Sequence, residues 1–232
     1  MSTAWQDRLE QLRRRPLVFV DDLDDPRLTA DDEHHLKRSL RIKPGAPLTI
    51  SDGRGGWRPA RFGAVPEPDG DIVVEPRPHV TLTVGFAPVK GDRSDLVVQK
   101  LTELAIDEIV PLRAERSVVR WDDARAAKNL ERHRRIVREA AMQSRNPWLP
   151  NVRQLTDLEV FLADRPETAL ADPSGPVIAG SQRSVAIGPE GGFTAAELSG
   201  RPSVLLPGGI LRTETAAIAT AVLLAAHRQA RC

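Results

Sequence analysis

The stretch from Val185 to Ala226 consists of two consecutive units, each made of an apolar run, a glycine-containing loop and a helix. The first apolar run breaks into Gly188-Pro189-Glu190-Gly191-Gly192, and residues 194–197 then have the spacing of a capping box. The second breaks into Pro207-Gly208-Gly209 before a long apolar helix. In open α/β sheets, ligands bind at the carboxyl ends of strands, where glycines allow close backbone approach. The pattern therefore predicts an α/β fold with its active site at these two loops.

The rest of the chain divides into two parts with different patterns of predicted secondary structure. Short β patterns separated by turn clusters between residues 17 and 75 predict a small β-barrel or sandwich. Pro76-Arg77-Pro78 is typical of a linker. From residue 80 onward, strand patterns alternate with helices, as in an α/β domain with a mostly parallel sheet. We therefore predict one domain over residues 1–76 and a second over residues 79–232.

Basic residues cluster on a long helix, which the apolar spacing predicts over residues 123–145. Residues 120–145 carry eight Lys/Arg and four acidic residues, in a chain whose net charge is only +1. Such a run is either a solvated helix face or a surface that follows RNA phosphates. A second basic group, predicted on a short helix that Thr29 caps, comprises Lys37, Arg38 and Arg41.

Several classes of protein are disfavoured by the sequence. The lone Cys232 rules out an internal disulfide and a cysteine metal cluster. Residues 1–15, predicted as a short helix, lack the apolar run of a secretory signal. The longest nearly apolar stretch, 215–226, is far shorter than the ~20 residues that span a membrane. We therefore expect a soluble, cytoplasmic protein without a metal site.

Arg212 is the sharpest single candidate for function. It directly precedes a predicted helix N-terminus, where the helix dipole disfavours a positive charge, and such a misplaced residue indicates function. The alternative is a surface ion pair with Glu214. The loop around Glu190 matches neither a Walker loop nor a dinucleotide fingerprint, so on its own it is equally typical of a simple tight turn.

Taken together, these motifs resemble the paired signature of the RsmE family. The members of this family are ribosomal small-subunit RNA uridine N3-methyltransferases of the SPOUT superfamily. The residues that carry the resemblance are 187–193 with Glu197, 210–216, 99–104, 116–117 and 139–145, with N-terminal matches at 34–36, 40–41 and 52–53. Three positions depart from the usual family pattern, namely Ala105 for glycine, Met142 for glutamate, and the turn Pro207-Gly208-Gly209.

The resemblance implies a PUA-like RNA-binding β-domain followed by a SPOUT α/β domain. The C-terminal end of such a domain is threaded into a trefoil knot, an exception to the rule against threaded connections. It also implies a homodimer with each site at the subunit interface. The implied cofactor is S-adenosylmethionine, held by residues of three loops and the helix that follows them: Ala171, Asp172, Gly188, Pro189, Glu190, Gly191, Gly192, Leu206, Gly208, Gly209, Ile210, Leu211, Thr215 and Ala216.

The implied reaction is methylation of N3 of a uridine in 16S ribosomal RNA. Arg212 would orient a phosphate or stabilise charge on the uracil oxygens, and Glu190 is a candidate proton acceptor. The predicted RNA contacts are Lys37, Arg38, Arg41, Arg138 and Arg145. Two alternatives remain open at this point, a non-catalytic ribosomal-RNA-binding or assembly module, and a SPOUT methyltransferase that acts on transfer RNA.

Overall fold

The computed structural model describes residues 10, 12, 14–39 and 41–229 of the chain. These residues form two compact units. One takes the chain up to Pro78 together with Arg138–Leu149, and the other takes His79–Val137 and the chain from Pro150 onward. Most of the helix predicted over residues 1–15 lies outside the described residues.

The first unit is built on a small mixed sheet. Its strands are β1 (Leu17–Phe19), β2 (Pro47–Ser51), β3 (Gly56–Arg61), β4 (Glu67–Pro68) and β5 (Val73–Val74). Strand β1 pairs with β2 in parallel, whereas β3 runs antiparallel to β2, β4 and β5. The core beneath this sheet includes Trp57, whose indole N–H donates to Glu75 Oε1 over 3.2 Å.

A short helix, α1 (Ala30–His34), continues into a π-helical turn over His35–Ser39. The predicted cap is confirmed, because the Asp32 amide donates to Thr29 Oγ1 over 3.1 Å. The Thr29 hydroxyl in turn donates to the buried Asp32 carboxylate over 2.7 Å, so the two side chains close the first turn together.

The second unit is an α/β layer structure, and the predicted mostly parallel sheet is confirmed. Its strands lie in the order β12-β10-β11-β6-β7-β8, and every pairing is parallel, including that of β9 with β7. The strand ranges are β6 (Thr83–Phe86), β7 (Glu108–Arg113), β8 (Asn151–Val152), β9 (Thr156–Asp157), β10 (Ala169–Ala171), β11 (Ser184–Ile187) and β12 (Ser203–Val204).

Loops join β8 to β9 and β10 to β11, whereas helices make the other connections of this unit and follow its last strand. The helices are α2 (Arg93–Glu103), α3 (Asp123–Ser144), α4 (Leu158–Asp164), α5 (Ala195–Leu198) and α6 (Thr213–Gln229). Strand β11 is buried along its whole length, which fits a strand with a neighbour on each side in a covered parallel sheet. Among the described residues, none of the helices combines the length and apolarity needed to cross a bilayer.

The structure shows the surroundings of two of the family departures. Ala105 follows α2 with a φ of +55°, a left-handed conformation that glycine adopts without steric cost. Met142 is only 6% exposed and lies in the apolar core of the first unit. An apolar side chain suits that position, whereas a carboxylate there would be desolvated.

Candidate active site

The three loops predicted to hold a ligand follow three adjacent strands. Strands β12, β10 and β11 are neighbours in the parallel sheet. The loops over residues 205–212, 172–178 and 188–193 leave the carboxyl ends of these strands, which all lie at the same edge. The order of the strands in the sheet therefore brings together segments that are far apart in sequence.

Direct hydrogen bonds join these loops in pairs. The Thr213 hydroxyl donates to the Gly188 carbonyl over 3.0 Å, which connects the start of α6 to the loop after β11. The Leu205 amide donates to the Pro176 carbonyl over 2.7 Å, and the Ile178 amide donates to the Leu205 carbonyl over 3.0 Å. These bonds make one continuous backbone surface from the three loops.

The loop over residues 188–193 is shaped by close packing at its base. Phe193 is buried in an apolar cluster, and a Cβ on Gly188 would lie 3.3 Å from its ring. Gly192 has a φ of +67° and closes a turn in which its amide donates to the Pro189 carbonyl over 2.8 Å. The conformation favours glycine at Gly192, and a side chain at Gly188 would need the Phe193 ring to move by a few tenths of an ångström.

The loop over residues 206–212 is open on its outer side. Gly208 has a φ of +111°, and no atom lies within 4 Å of a Cβ built on Gly209. Ile210 is 98% exposed, which is unusual for a large apolar side chain. Exposed apolar surface beside accessible backbone suits a ligand with both an apolar face and hydrogen-bonding atoms, such as an adenosine group.

The other predicted cofactor residues lie on or beside these loops. Asp172 Oδ1 accepts from the Ser174 amide over 2.9 Å and so shapes the loop after β10. Leu206 and Ala216 are buried, and Thr215 is exposed in the first turn of α6. Leu211 lies half-buried between Ile210 and Arg212, and Ala171 ends β10.

Arg212 and Glu190 are exposed on adjoining loops. Glu214 pairs with Arg93 at 3.2 Å, so the alternative that it pairs with Arg212 is wrong. Within the described part of the chain, Arg212 has no ion-pair partner, and its charge is available to a ligand.

The predicted RNA contacts belong to the first unit. Lys37 pairs with Glu33 along the helical turn, and Arg38 and Arg41 are exposed. Arg138 Nη2 bonds the Asp32 carboxylate and donates to the Phe19 carbonyl over 2.8 Å, so this nitrogen binds within the protein. Burial lowers the pKa of Arg145, which donates to the Met142 carbonyl. Their role in RNA binding stays a prediction.

Two residues contribute more to the site than the sequence indicated. Arg116 donates to the carbonyls of Gly191 and Phe193. Glu197, predicted as half of a capping box and as part of the family signature, also accepts from the Glu115 amide. The capping box itself is confirmed. Among the described residues, no three His, Cys, Asp or Glu side chains lie close enough together to hold a metal ion.

Comparison with known proteins identifies the class of this fold and site. The model of the RNA methyltransferase domain matches residues 75–225, and the model of the RNA methyltransferase PUA domain matches residues 28–73. Curated relatives named ribosomal RNA small subunit methyltransferase E include those of Mycobacterium bovis (32% identical, covering 87% of each chain) and Bacillus subtilis (30% identical, covering 82% of this chain and 85% of the relative).

Two solved structures extend the match to three dimensions. A Legionella pneumophila protein in complex with bound SAM is 27% identical, with a TM-score of 0.81 over 92% of this chain and 98% of that one. Ribosomal RNA small subunit methyltransferase E of Neisseria gonorrhoeae, bound to S-adenosyl methionine, is 28% identical, with a TM-score of 0.75 over 90% and 96%.

The fold, the site and the matched models together define an RNA methyltransferase with a PUA domain. Within that class, the chain belongs to the ribosomal RNA small subunit methyltransferase E family. The predicted family and fold class are therefore confirmed, whereas the individual site residues and the knot stay predictions.

Proposed function

We propose that this protein methylates N3 of a specific uridine in 16S ribosomal RNA, with S-adenosylmethionine as the methyl donor. The observation that carries the proposal is the joining of the loops after β10, β11 and β12 into one surface, through Thr213 and Leu205. The proposal is further supported by family membership and by the two relatives whose structures contain the same cofactor.

When bound, S-adenosylmethionine supplies a methyl group that its sulfonium already activates. The remaining tasks of the chain are to align the uracil ring and to accept the N3 proton. Exposed backbone of the loops around Gly191 and Gly209 would hold the cofactor. Arg212, with no ion-pair partner among the described residues, would stabilise negative charge on the uracil oxygens, and Glu190 would accept the proton.

The proposal includes the larger assembly as well. The PUA-like domain over residues 1–76 and the RNA contacts at Lys37, Arg38, Arg41, Arg138 and Arg145 would hold the ribosomal RNA. The SPOUT domain over residues 79–232, with its C-terminal knot, would act as a homodimer in the cytoplasm. The homodimer is supported by α6, which buries Ala217, Ala221 and Leu224 on one face and leaves Val222 47% exposed on another.

The experiment that tests the function is a map of modified nucleotides in 16S ribosomal RNA from cells that lack the gene. We expect one N3-methyluridine to disappear and to return when the wild-type gene is restored. A cofactor titration with the purified protein should show binding of S-adenosylmethionine. Unchanged ribosomal RNA together with a lost transfer RNA modification would overturn the proposed substrate, and absence of cofactor binding would overturn the proposed reaction.

A further inference from the structure

The turn over residues 114–117, which follows β7, contacts the loop over residues 188–193, here called the glycine loop. Arg116 Nη1 donates to the Gly191 carbonyl over 2.9 Å and to the Phe193 carbonyl over 3.3 Å. The glycine loop follows β11, and β6 lies between β11 and β7 in the sheet. These bonds therefore connect two loops over the end of an intervening strand.

Glu197 makes a second connection between the same two loops. Its carboxylate is buried, and Oε2 accepts from the Thr194 amide over 2.7 Å within the capping box. Its other oxygen, Oε1, accepts from the Glu115 amide over 2.8 Å. Capping needs only one of these contacts, so the second is an additional function of the carboxylate.

The turn that makes these contacts is itself rigidly built. Ser117 is buried, and its hydroxyl accepts from the Ala114 amide over 3.0 Å. The Ser117 amide donates back to the Ala114 carbonyl over 3.1 Å. Reciprocal bonds of this kind fix Glu115 and Arg116, which lie between them, against the glycine loop.

The contacts occupy part of the hydrogen-bonding capacity of the glycine loop and fix which groups stay free. Four carbonyls of the loop are bonded within the protein, those of Gly188, Pro189, Gly191 and Phe193. The amides of Glu190 and Gly191, like the carbonyls of Glu190 and Gly192, have no hydrogen-bond partner in the described part of the chain. The loop therefore offers two consecutive amide donors and two carbonyl acceptors to a ligand.

We infer that Arg116 and Glu197 are positioning residues, which hold the glycine loop in this conformation, with its free amides and carbonyls exposed, before the cofactor binds. The inference rests on the proposed function, because it assigns a purpose to the loop as a cofactor site. Neither side chain needs to touch the cofactor. They act by occupying the loop carbonyls and by tying the loop to the turn after β7.

The test combines hydrogen exchange of the unliganded protein with calorimetric titration of S-adenosylhomocysteine. In Arg116→Ala, we expect faster amide exchange confined to residues 188–193 and an affinity for S-adenosylhomocysteine about tenfold weaker, equivalent to one charge-assisted hydrogen bond. Glu197→Gln, which retains only one acceptor oxygen, should show the same local change. Arg116→Lys should recover part of the affinity, because an ammonium can donate to one carbonyl.

Arg113→Ala is the matched control, since Arg113 lies on the same segment but pairs with Asp157 in solvent. It should leave exchange at residues 188–193 and ligand affinity unchanged. Equal exchange and equal affinity in wild type and Arg116→Ala would overturn the inference. So would faster exchange throughout the unit, which would indicate a general structural role. If the wild-type protein itself failed to bind S-adenosylhomocysteine, the proposed function would fail instead.

Discussion

At the scale of single residues, Ala105 carries a cost that the family pattern avoids. A non-glycine residue in the left-handed region is disfavoured by ~1–2 kcal/mol. Replacement of alanine by glycine in turn lowers the stability by about 0.4–1 kcal/mol, because it raises the conformational entropy of the unfolded chain. At a φ of +55° we therefore expect Ala105→Gly to stabilise the protein by roughly 1 kcal/mol and raise Tm by about 2–4 °C. Thermal unfolding followed by circular dichroism would measure this shift.

The control for this prediction is Ala127→Gly, at an exposed position inside α3. There the conformation is helical, so glycine should lower the stability by about 0.5–1 kcal/mol. Opposite signs at the two positions would show that backbone conformation, and not the loss of a methyl group, decides the outcome. A lower Tm for Ala105→Gly would contradict the prediction.

His133 links the stability of the protein to pH. Its side chain is 1% exposed, and burial lowers its pKa below the usual 6.5, against the opposing influence of Asp95, whose Oδ1 lies 3.5 Å from Nε2. The unfolded state therefore binds the proton more readily, so the stabilisation is complete above pH 6.5 and is lost as the pH falls. The free energy of unfolding cannot fall through this group by more than about 1.4 kcal/mol per pH unit.

Replacement of His133 by glutamine removes this titration. Denaturant unfolding at neutral and mildly acidic pH should show that the wild type loses more stability on acidification than His133→Gln does. The difference between the two proteins must arise from this group, because all other titrating groups are shared. Parallel pH profiles would show that His133 does not carry the effect.

At the scale of elements, Thr213 couples the start of α6 to the glycine loop. Its side chain is 3% exposed, and the bond to the Gly188 carbonyl joins two of the three ligand loops. Thr213→Val keeps the shape but removes the donor, and we expect a loss of about 1 kcal/mol in stability and weaker binding of S-adenosylmethionine. Thr213→Ser keeps the hydroxyl and should retain most of the affinity when S-adenosylmethionine binding is measured by calorimetric titration.

The elements that formed as predicted are those in which local sequence and tertiary packing agree. The capping box at Thr194, the strand that ends at Ile187 and the long helix α3 are examples. Strands β8 and β9 and helix α4 were not predicted. Each two-residue strand is too short to show a period, and its pairing depends on the neighbouring strand β7.

The candidate site was predictable where a glycine-containing loop follows a strand. The contacts of Arg116 and Glu197 were not, because they join residues separated by 75 and 82 positions, respectively, with a strand between their loops. The same limit applies to Arg138, whose run of basic neighbours indicated a phosphate contact. Its bond to the buried Asp32 carboxylate is visible only once the fold brings the two together.

At the scale of the whole molecule, α6 offers a surface for the proposed homodimer. An apolar helix such as α6 can be buried either in a core or at a subunit interface. The structure buries one face of the helix, and the outer face retains Thr215, Val222 and Ala226 as exposed positions. Small and apolar residues on an exposed helix face allow close approach of a second helix.

We predict that Val222→Glu converts the protein from dimer to monomer, because a charge at the centre of such an interface would have to be desolvated without a partner. Light scattering coupled to size-exclusion chromatography measures the mass directly. Val160→Glu is the matched control, because Val160 is a valine of α4 that is 60% exposed, and this variant should remain dimeric. A monomeric wild type would contradict the proposed homodimer, and a Val222→Glu variant that stays dimeric would place the interface elsewhere on the molecule.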